Sequence, residues 1–562
     1  MSTQNLTDGF HALIDAFKKN DINNIYAVAG IPITDVLRLA VEREMKVIAF
    51  RHESNAGHAA AIAGYLTQKP GICMTVSAPG MLNGMVALAN ATVNCFPMIL
   101  ISGSSDRAIS ELKRGDYEEL DQVNAAVPYA KLSIRVNRPE DIGLAIARAY
   151  RVAVSGRPGG VYVDIPGEVL ATTVDKDVAE KSMFRIVDPA PAQLPGKAAL
   201  DRAIDLLASA ERPMILLGKG AAYAQAENEV KDFVESNKVP FLPMSMAKGI
   251  LPDSHEQSAA AARSHTIGNA DVVLLCGARL NWLLNQGQGP LWSDDTKFVH
   301  IDIEPIEMDS NRLIHAPLVG DIKSTLAALT EGLKAKGGMK PSEEWLNSIK
   351  ERKERNFERM AKRLEADPSP MNFSSALRAV RDGFNANPGT ILVNEGANTL
   401  DFARSIIDME EPRKRLDTGT WGIMGIGMGY AIGAAVETGE AVLAVEGDSA
   451  FGFSGMEIET IVRYNLPVVT VIFNNSGIYR GDAPGTDPSP TGLLPARYDK
   501  MIEAFGGVGY HAEDSASLQK AVDEALKARK PALINAVIDP TAGTESGNIT
   551  HLNPQSALSK SN

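Results

Sequence analysis

Glu446-Gly447-Asp448-Ser449 and, further along, Phe473-Asn474-Asn475 each stand where a hydrophobic run stops. Ala441 to Val445 reads as a buried strand ending at Gly447-Asp448, and Val468 to Phe473 as another ending at Asn474-Asn475. Between them, Phe451 to Tyr464 carries apolar residues at helical spacing. The unit is strand, loop, helix, strand, with oxygen-bearing side chains at the carboxyl ends of two strands. Open parallel sheets bind their ligands at those ends. A carboxylate, an amide oxygen and backbone carbonyls suit Mg²⁺, a hard cation that often arrives with phosphates. A plainer reading stands beside this one, since Gly-Asp-Ser commonly follows a strand and Asn-Asn often only opens a turn.

Composition narrows the classes. A chain of 562 residues exceeds one core and suggests three or four domains. Charged residues at 22% and apolar ones at 44% are those of an ordinary globular protein. A net charge of −13 argues against general binding to nucleic acid or an anionic membrane, because the long-range field repels phosphates. It leaves room for a local basic pocket. Cys73, Cys95 and Cys276 lie in apolar stretches without paired spacing, so buried thiols are expected rather than disulfides or a zinc site. Met1 to Asp8 is polar without a leader pattern, and no apolar run approaches the ~20 residues of a membrane helix. The expected location is the cytoplasm, with no nucleic-acid or membrane partner.

The alternation seen around Asp448 extends along the chain. In residues 1–187, Ile25 to Val28, Ile72 to Val76, Met98 to Ser102 and Gly160 to Ile165 read as strands separated by amphipathic segments. That pattern gives a parallel sheet covered by helices on both faces. Asp188 to Pro195 is a proline-rich linker. In residues 196–336, Pro213 to Leu217 runs into Gly218-Lys219-Gly220, Val272 to Cys276 into Gly277-Ala278-Arg279, and Phe298 to Ile303 carries Asp302. Glycine turns at strand ends, cations and an acid make a nucleotide-site layout, though Lys219 fits a solvated loop equally well. Residues 337–369 are a helical linker, dense in Glu, Lys and Arg from Ser342 to Leu364. Residues 370–562 form the third unit, opening with strand Thr390 to Val393. The fold class is α/β, three doubly wound parallel-sheet domains, with no internal repeat visible.

Val47 to Glu53 reads as a strand ending in an acid, and Ala56 to Tyr65 as a helix of small residues. Taken locally, Glu53 is a capping glutamate on that helix. Glu53, the Asp448–Asn475 pair and Gly419-Thr420-Trp421-Gly422-Ile423-Met424-Gly425-Ile426-Gly427-Met428-Gly429 together resemble the thiamine diphosphate decarboxylases and synthases over essentially the whole chain. The resemblance implies a pyrimidine-binding first domain, a nucleotide-binding-like central domain and a diphosphate-binding third domain. It also implies a cofactor held between subunits, hence a homo-oligomer of at least a dimer, with a tetramer as the family's usual state. Asp448, Asn475 and the Gly477 carbonyl would hold Mg²⁺, and Ser449, Ala397 and Asn398 would line the diphosphate. Met424 and Gly422 would hold the bent cofactor, with Tyr479 nearby. Glu53 would share a proton with the pyrimidine, helped by the raised pKa of a buried carboxyl.

Gly30 to Thr34, Ser77 to Gly80, Gly103 to Arg107, Gly115 to Gln122, Gly452 to Glu457 and Ala542 to Gly547 are most similar to the oxalyl-CoA-decarboxylating branch of that family. The implied reaction converts oxalyl-CoA to formyl-CoA and carbon dioxide. Tyr117, Glu118, Tyr479 and Ser546 would face the reacting end and Ile31 would pack beside it. Arg263, Asn356 and Arg404 would bind coenzyme A, the plain alternative for each arginine being a surface ion pair. The middle domain resembles the family's ADP-binding fold, with Arg157, Lys219, Arg279 and Asp302 at matching places, which implies an activating ADP, while related synthases put FAD in this fold. This chain departs from the family pattern at His58, Phe373, Phe402 and Ser476, where Tyr, Tyr, Asn and Gly are expected. Two rivals remain: a 2-hydroxyacyl-CoA lyase or carboligase joining formyl-CoA and aldehydes, and a non-catalytic nucleotide-sensing relative. Retention of Glu53, Asp448 and Asn475 together speaks against the second.

Overall fold

A computed structural model describes residues 5–480, 482 and 485–544. The runs rich in Val, Ile and Leu become strands of three parallel sheets. The first sheet runs, in spatial order, Lys46–Ala49, Asn24–Ala27, Gly71–Thr75, Met98–Ser104, Gly160–Pro166, Leu132–Arg135. The third runs Arg415–Asp417, Ile391–Asn394, Val442–Gly447, Val468–Asn474, Ala532–Val537, Val508–Ala512. Numbered by their own chain order, both sheets read 2-1-3-4-6-5. A topological repeat is therefore present that the residues did not display, because a shared strand order needs no shared side chains. The middle sheet has five strands, Phe241–Pro243, Pro213–Leu217, Val272–Cys276, Lys297–Asp302 and Ala316–Val319, in the order 2-1-3-4-5.

Central strands such as Val468–Asn474 are buried along their whole length, as parallel strands covered on both faces must be. The first and third units meet through two equivalent helices, each following the second strand of its sheet. Glu53–Thr67 is buried from Asn55 to Tyr65 and Gly427–Thr438 from Gly427 to Val436. A Cβ on Gly433 would lie 2.6 Å from the Ala59 carbonyl oxygen, and one on Gly429 2.8 Å from that of Asn55. Only glycine lets these backbones approach so closely.

Two local expectations change. The strand expected to end in Glu53 stops at Ala49, and Glu53 is the first residue of the next helix. His52, not Glu53, caps that helix, its ring accepting from the Ser54 N–H at 3.2 Å. Phe451 to Tyr464 splits into the helices Asp448–Phe451 and Glu457–Arg463. The break falls at Gly452 to Gly455, where a Cβ on Gly455 would lie 2.8 Å from the Phe451 ring. Cys73 and Cys276 are buried as expected, whereas Cys95 is only half-buried. The charged linker forms the long helix Glu343–Glu365. Among the described residues no helix is long and apolar enough to cross a membrane.

Candidate functional site

In all three sheets the strand order reverses between strands 1 and 3, and crevices form at such switch points. In the third sheet that crevice separates the residues after Ile391–Asn394 from those after Val442–Gly447. Gly396, at φ +95°, lies so close that a Cβ there would be 3.1 Å from the Gly447 nitrogen. Ala397 and Asn398 begin the helix Ala397–Ile406 on one side, and Asp448 and Ser449 begin a turn on the other.

Asp448 is buried. Its Oδ1 accepts from the Ser449 N–H at 2.7 Å, and its Oδ2 has no hydrogen-bond partner among the described residues. Burial pushes this carboxyl up to about 6, against the pull of backbone N–H groups from Ser449 and from Asn475, Ser476 and Gly477. Asn475 donates its amide N–H to the Tyr479 carbonyl at 2.7 Å, which turns its side-chain oxygen toward other partners. A buried carboxylate oxygen without a donor, beside an amide oxygen, fits a hard divalent cation. Ser476, between Asn475 and Gly477, has φ +57°, a conformation that glycine adopts more cheaply. Thr544 closes over this end, donating from its N–H and hydroxyl to Asn398 Oδ1 at 3.0 Å each. Ser546 lies outside the described residues.

Gly422 and Met424 sit on the exposed turn before the helix Gly427–Thr438. Gly425 in that turn has φ +90°, and a Cβ on it would lie 2.9 Å from Phe453 Cβ. The turn is held from below by Glu395, a residue that no sequence motif had singled out. Burial raises its carboxyl to about 7, against the pull of backbone N–H groups from Gly425, Gly427 and Ile426. Glu446, also fully buried, is pushed well above the usual carboxylate range by burial and by Glu395.

Glu53 stands on the first unit, half-buried, with its Oε2 accepting from Asn83 Nδ2 at 3.0 Å. Gly80 passes close enough that a Cβ would lie 3.1 Å from Glu53 Oε1. Within one chain the contacts of Glu53 are to its own unit, while Glu457 of the third unit takes the backbone N–H of His52 at 3.1 Å. Ile31 is 76% exposed and Tyr117 87% exposed. Glu118 is half-buried and shifted upward by that burial. Tyr479 is also exposed. None of these side chains is fully buried within the single chain.

The three residues expected at coenzyme A form a loose cluster. Arg404 donates to Ser245 Oγ at 3.1 Å, Arg263 to the Leu283 carbonyl at 2.9 Å and Asn356 to the Ala261 carbonyl at 2.6 Å. Burial lowers the Arg263 pKa, and the neighbouring Arg404 charge lowers it further. Two guanidiniums are thus held near one another.

The middle sheet's switch point opens into a cavity of about 480 Å³, whose walls include Arg157, Lys219, Arg279 and Asp302. All four expected residues meet there. A Cβ on Gly218 would strike Gly277, itself at φ +58°, so glycine is required where the two strand-end turns cross. Arg157 and Arg279 both reach Glu307. Three contributions had no signal in the sequence: the linker Asp188 to Gln193, Asn94 and Cys95 from the first unit, and Asp417, Gly419 and Thr420 from the third.

The departures at 373 and 402 prove to be one feature. The Phe373 and Phe402 rings stack with centroids 5.5 Å apart and planes 14° apart. His58 is buried between Ser54 and Asn90, and burial lowers its pKa to about 3, so it is neutral.

Three family descriptions match the chain: "Thiamine pyrophosphate enzyme, N-terminal TPP binding domain" over residues 7–125, "central domain" over 200–329 and "C-terminal TPP binding domain" over 395–536. The chain is 59% identical to the oxalyl-CoA decarboxylase of Escherichia coli K12, covering 98% of both. It is 46% identical to a 2-hydroxyacyl-CoA lyase of Arabidopsis thaliana, covering 95% of this chain and 96% of that one. Against the Homo sapiens 2-hydroxyacyl-CoA lyase 1 the identity is 39%, covering 95% of each.

Proposed function

The chain belongs to the thiamine pyrophosphate enzymes, and from that premise we propose that it decarboxylates oxalyl-CoA to formyl-CoA and carbon dioxide. The observation that carries this reading is end-to-end identity of 59% to an oxalyl-CoA decarboxylase, against 46% to a lyase of similar length. Thiamine diphosphate, when bound, supplies the stabilised carbanion chemistry that loss of carbon dioxide beside a thioester carbonyl requires.

The chain's own residues would do the rest. Asp448, Asn475 and the Gly477 carbonyl would hold Mg²⁺, and Ser449, Ala397 and Asn398 would receive the diphosphate at the switch point. Gly422 and Met424 would orient the cofactor's rings, and Glu53 would exchange a proton with the pyrimidine nitrogen. Tyr117, Glu118, Tyr479 and Ser546 would order the reacting end, with Ile31 packed beside it. Arg263 and Arg404 would meet the phosphates of coenzyme A, with Asn356 alongside. The middle cavity would take ADP, its phosphates toward Arg157, Lys219 and Arg279 and its ribose toward Asp302. We assign residues 1–187, 196–336 and 370–562 to the pyrimidine, nucleotide and diphosphate roles, and 337–369 to the link.

Glu53 and Met424 both lie at surfaces that also expose Leu82, Val86, Phe453 and Met456. Apolar side chains around polar machinery favour an active site completed by a second copy, hence a dimer or a tetramer built from dimers. The cytoplasm suits the thiols and the substrate. A second reading, carboligation as in a 2-hydroxyacyl-CoA lyase, draws support from the identity to such enzymes.

Formyl-CoA release from oxalyl-CoA, with thiamine diphosphate and Mg²⁺ added or withheld and with or without ADP, tests the proposal. Cofactor-dependent product supports decarboxylation, whereas a cofactor-loaded protein that only joins formyl-CoA to an added aldehyde overturns it in favour of the lyase.

A further inference from the structure

Glu395 and Glu446 occupy neighbouring strand ends of the third sheet and are both 0% exposed. One lies just past Ile391–Asn394 and the other within Val442–Gly447. Buried carboxyls are costly, and none of the roles assigned above uses them. Their surroundings are specific. Glu395 Oε1 accepts from the Gly425 N–H and Oε2 from the Gly427 N–H, the latter at 2.6 Å. Gly427 is pinned between the two acids. A Cβ on it would lie 2.9 Å from Glu395 Oε2 and nearer still to Glu446 Oε1. Neither Glu446 oxygen has a hydrogen-bond partner among the described residues.

A carboxylate with one oxygen on each of two amides separated by a single residue fixes that backbone in position and orientation. Hydrogen bonds in a dry site are a strong restraint, and charge strengthens them further above about pH 7, where Glu395 is ionised. The restrained stretch, Gly425 to Gly427, follows Met424 directly and starts the helix Gly427–Thr438.

We propose that Glu395 is a positioning residue whose buried carboxylate clamps the Gly425–Gly427 turn, with Glu446 behind Gly427 as its stop, and thereby aims Met424 and Gly422 at the cofactor. The last step rests on the assignment of that turn to thiamine diphosphate. The clamp itself does not, and so the two can fail separately.

Hydrogen exchange of the full-length chain without cofactor reads the clamp directly. The amides of Gly425 and Gly427 are expected to be protected although they lie in a turn. In Glu395→Gln, which puts an N–H₂ where one amide needs an acceptor, their exchange rises at least about tenfold while Val468–Asn474 keeps its protection. Glu395→Asp, which keeps the charge but withdraws it, behaves alike. Open-turn exchange of these amides in the unsubstituted chain overturns the clamp even if no variant accumulates. With thiamine diphosphate and Mg²⁺ added, Glu395→Gln is expected to lower kcat by about tenfold at saturating cofactor, with KM for oxalyl-CoA shifted less than about threefold. The near-ultraviolet circular dichroism of the bound cofactor is expected to change with it. Lost protection without any change in kcat or dichroism would leave the clamp standing and remove its link to the cofactor.

Discussion

The side-chain oxygen of Asn94 accepts from the Lys219 ammonium at 2.8 Å and from the Thr420 backbone N–H at 3.0 Å. Its amide donates to the Thr418 carbonyl at 3.2 Å. One side chain of the first unit thus ties a cation of the middle cavity to the segment that continues through Gly422 to Met424. Asn94→Ala removes the acceptor of a half-buried ammonium, which keeps its contact with the Phe96 ring, and of a half-buried backbone N–H, at a cost toward the lower end of the about 1–3 kcal/mol of a lost buried partner. The expected result is lower stability and a loss of coupling. ADP titrated calorimetrically should still bind, while its effect on turnover shrinks toward none. An undiminished ADP effect in Asn94→Ala would show that the cavity acts by another route.

If the middle cavity takes ADP as proposed, Lys219 should make that binding depend on pH. Burial pushes its ammonium down to about 8, so the charge is present below that pH and fades above it. Bound phosphates favour the charged form and raise the pKa again. Affinity should therefore fall as pH rises through about 8, with proton uptake on binding between pH 8 and 9. Calorimetry in two buffers of different ionisation enthalpy measures that proton. Lys219→Met should abolish the uptake and flatten the profile. A profile unchanged in that variant would remove Lys219 from the nucleotide's phosphates.

Glu53→Gln keeps the volume and the Asn83 contact but cannot hand over a proton. Proton transfer by a placed side chain contributes about 10²–10⁴-fold, and the loss of formyl-CoA formation should fall in that range. The proposed oligomer, read by light scattering, should be unaffected. Turnover within about threefold of the unsubstituted chain would remove Glu53 from the chemistry.

Much of this was legible in the residues, for a physical reason. Parallel strands buried on both faces are forced to be apolar runs, so Val272–Cys276 and Pro213–Leu217 could be read to the residue. The turns after them were legible because a switch point demands glycine. What escaped depends on partners distant in the chain. Asn94, Glu395 and Glu446 are single polar residues at the edges of apolar segments, and nothing local says which distant group each will meet. The proline-rich linker read as a spacer, yet it walls the middle cavity. Phe373 and Phe402 read as two separate losses of polar groups. They form one ring stack joined to Phe473, which only the packing shows.

Ser476 offers the sharpest test of the metal end, because its backbone strain can be relieved or increased without touching a ligand side chain. It sits at φ +57° between Asn475 and Gly477, and its hydroxyl reaches Asn474 Oδ1 at 3.3 Å. Ser476→Gly removes a left-handed strain of about 1–3 kcal/mol but adds unfolded-state entropy of about 0.4–1 kcal/mol and loses the hydroxyl contact. Those effects offset, and the variant should match or slightly exceed the parent in stability, with Mg²⁺ affinity within about twofold. Ser476→Val places a β-branched side chain where that conformation is a genuine outlier. It should swing the 475–477 amides away from Asp448 and weaken Mg²⁺-dependent cofactor binding by roughly tenfold or more. Titrating Mg²⁺ against thiamine diphosphate binding in both variants decides the matter. Equal Mg²⁺ affinity in Ser476→Val and Ser476→Gly would place the metal elsewhere than between Asp448 and Asn475.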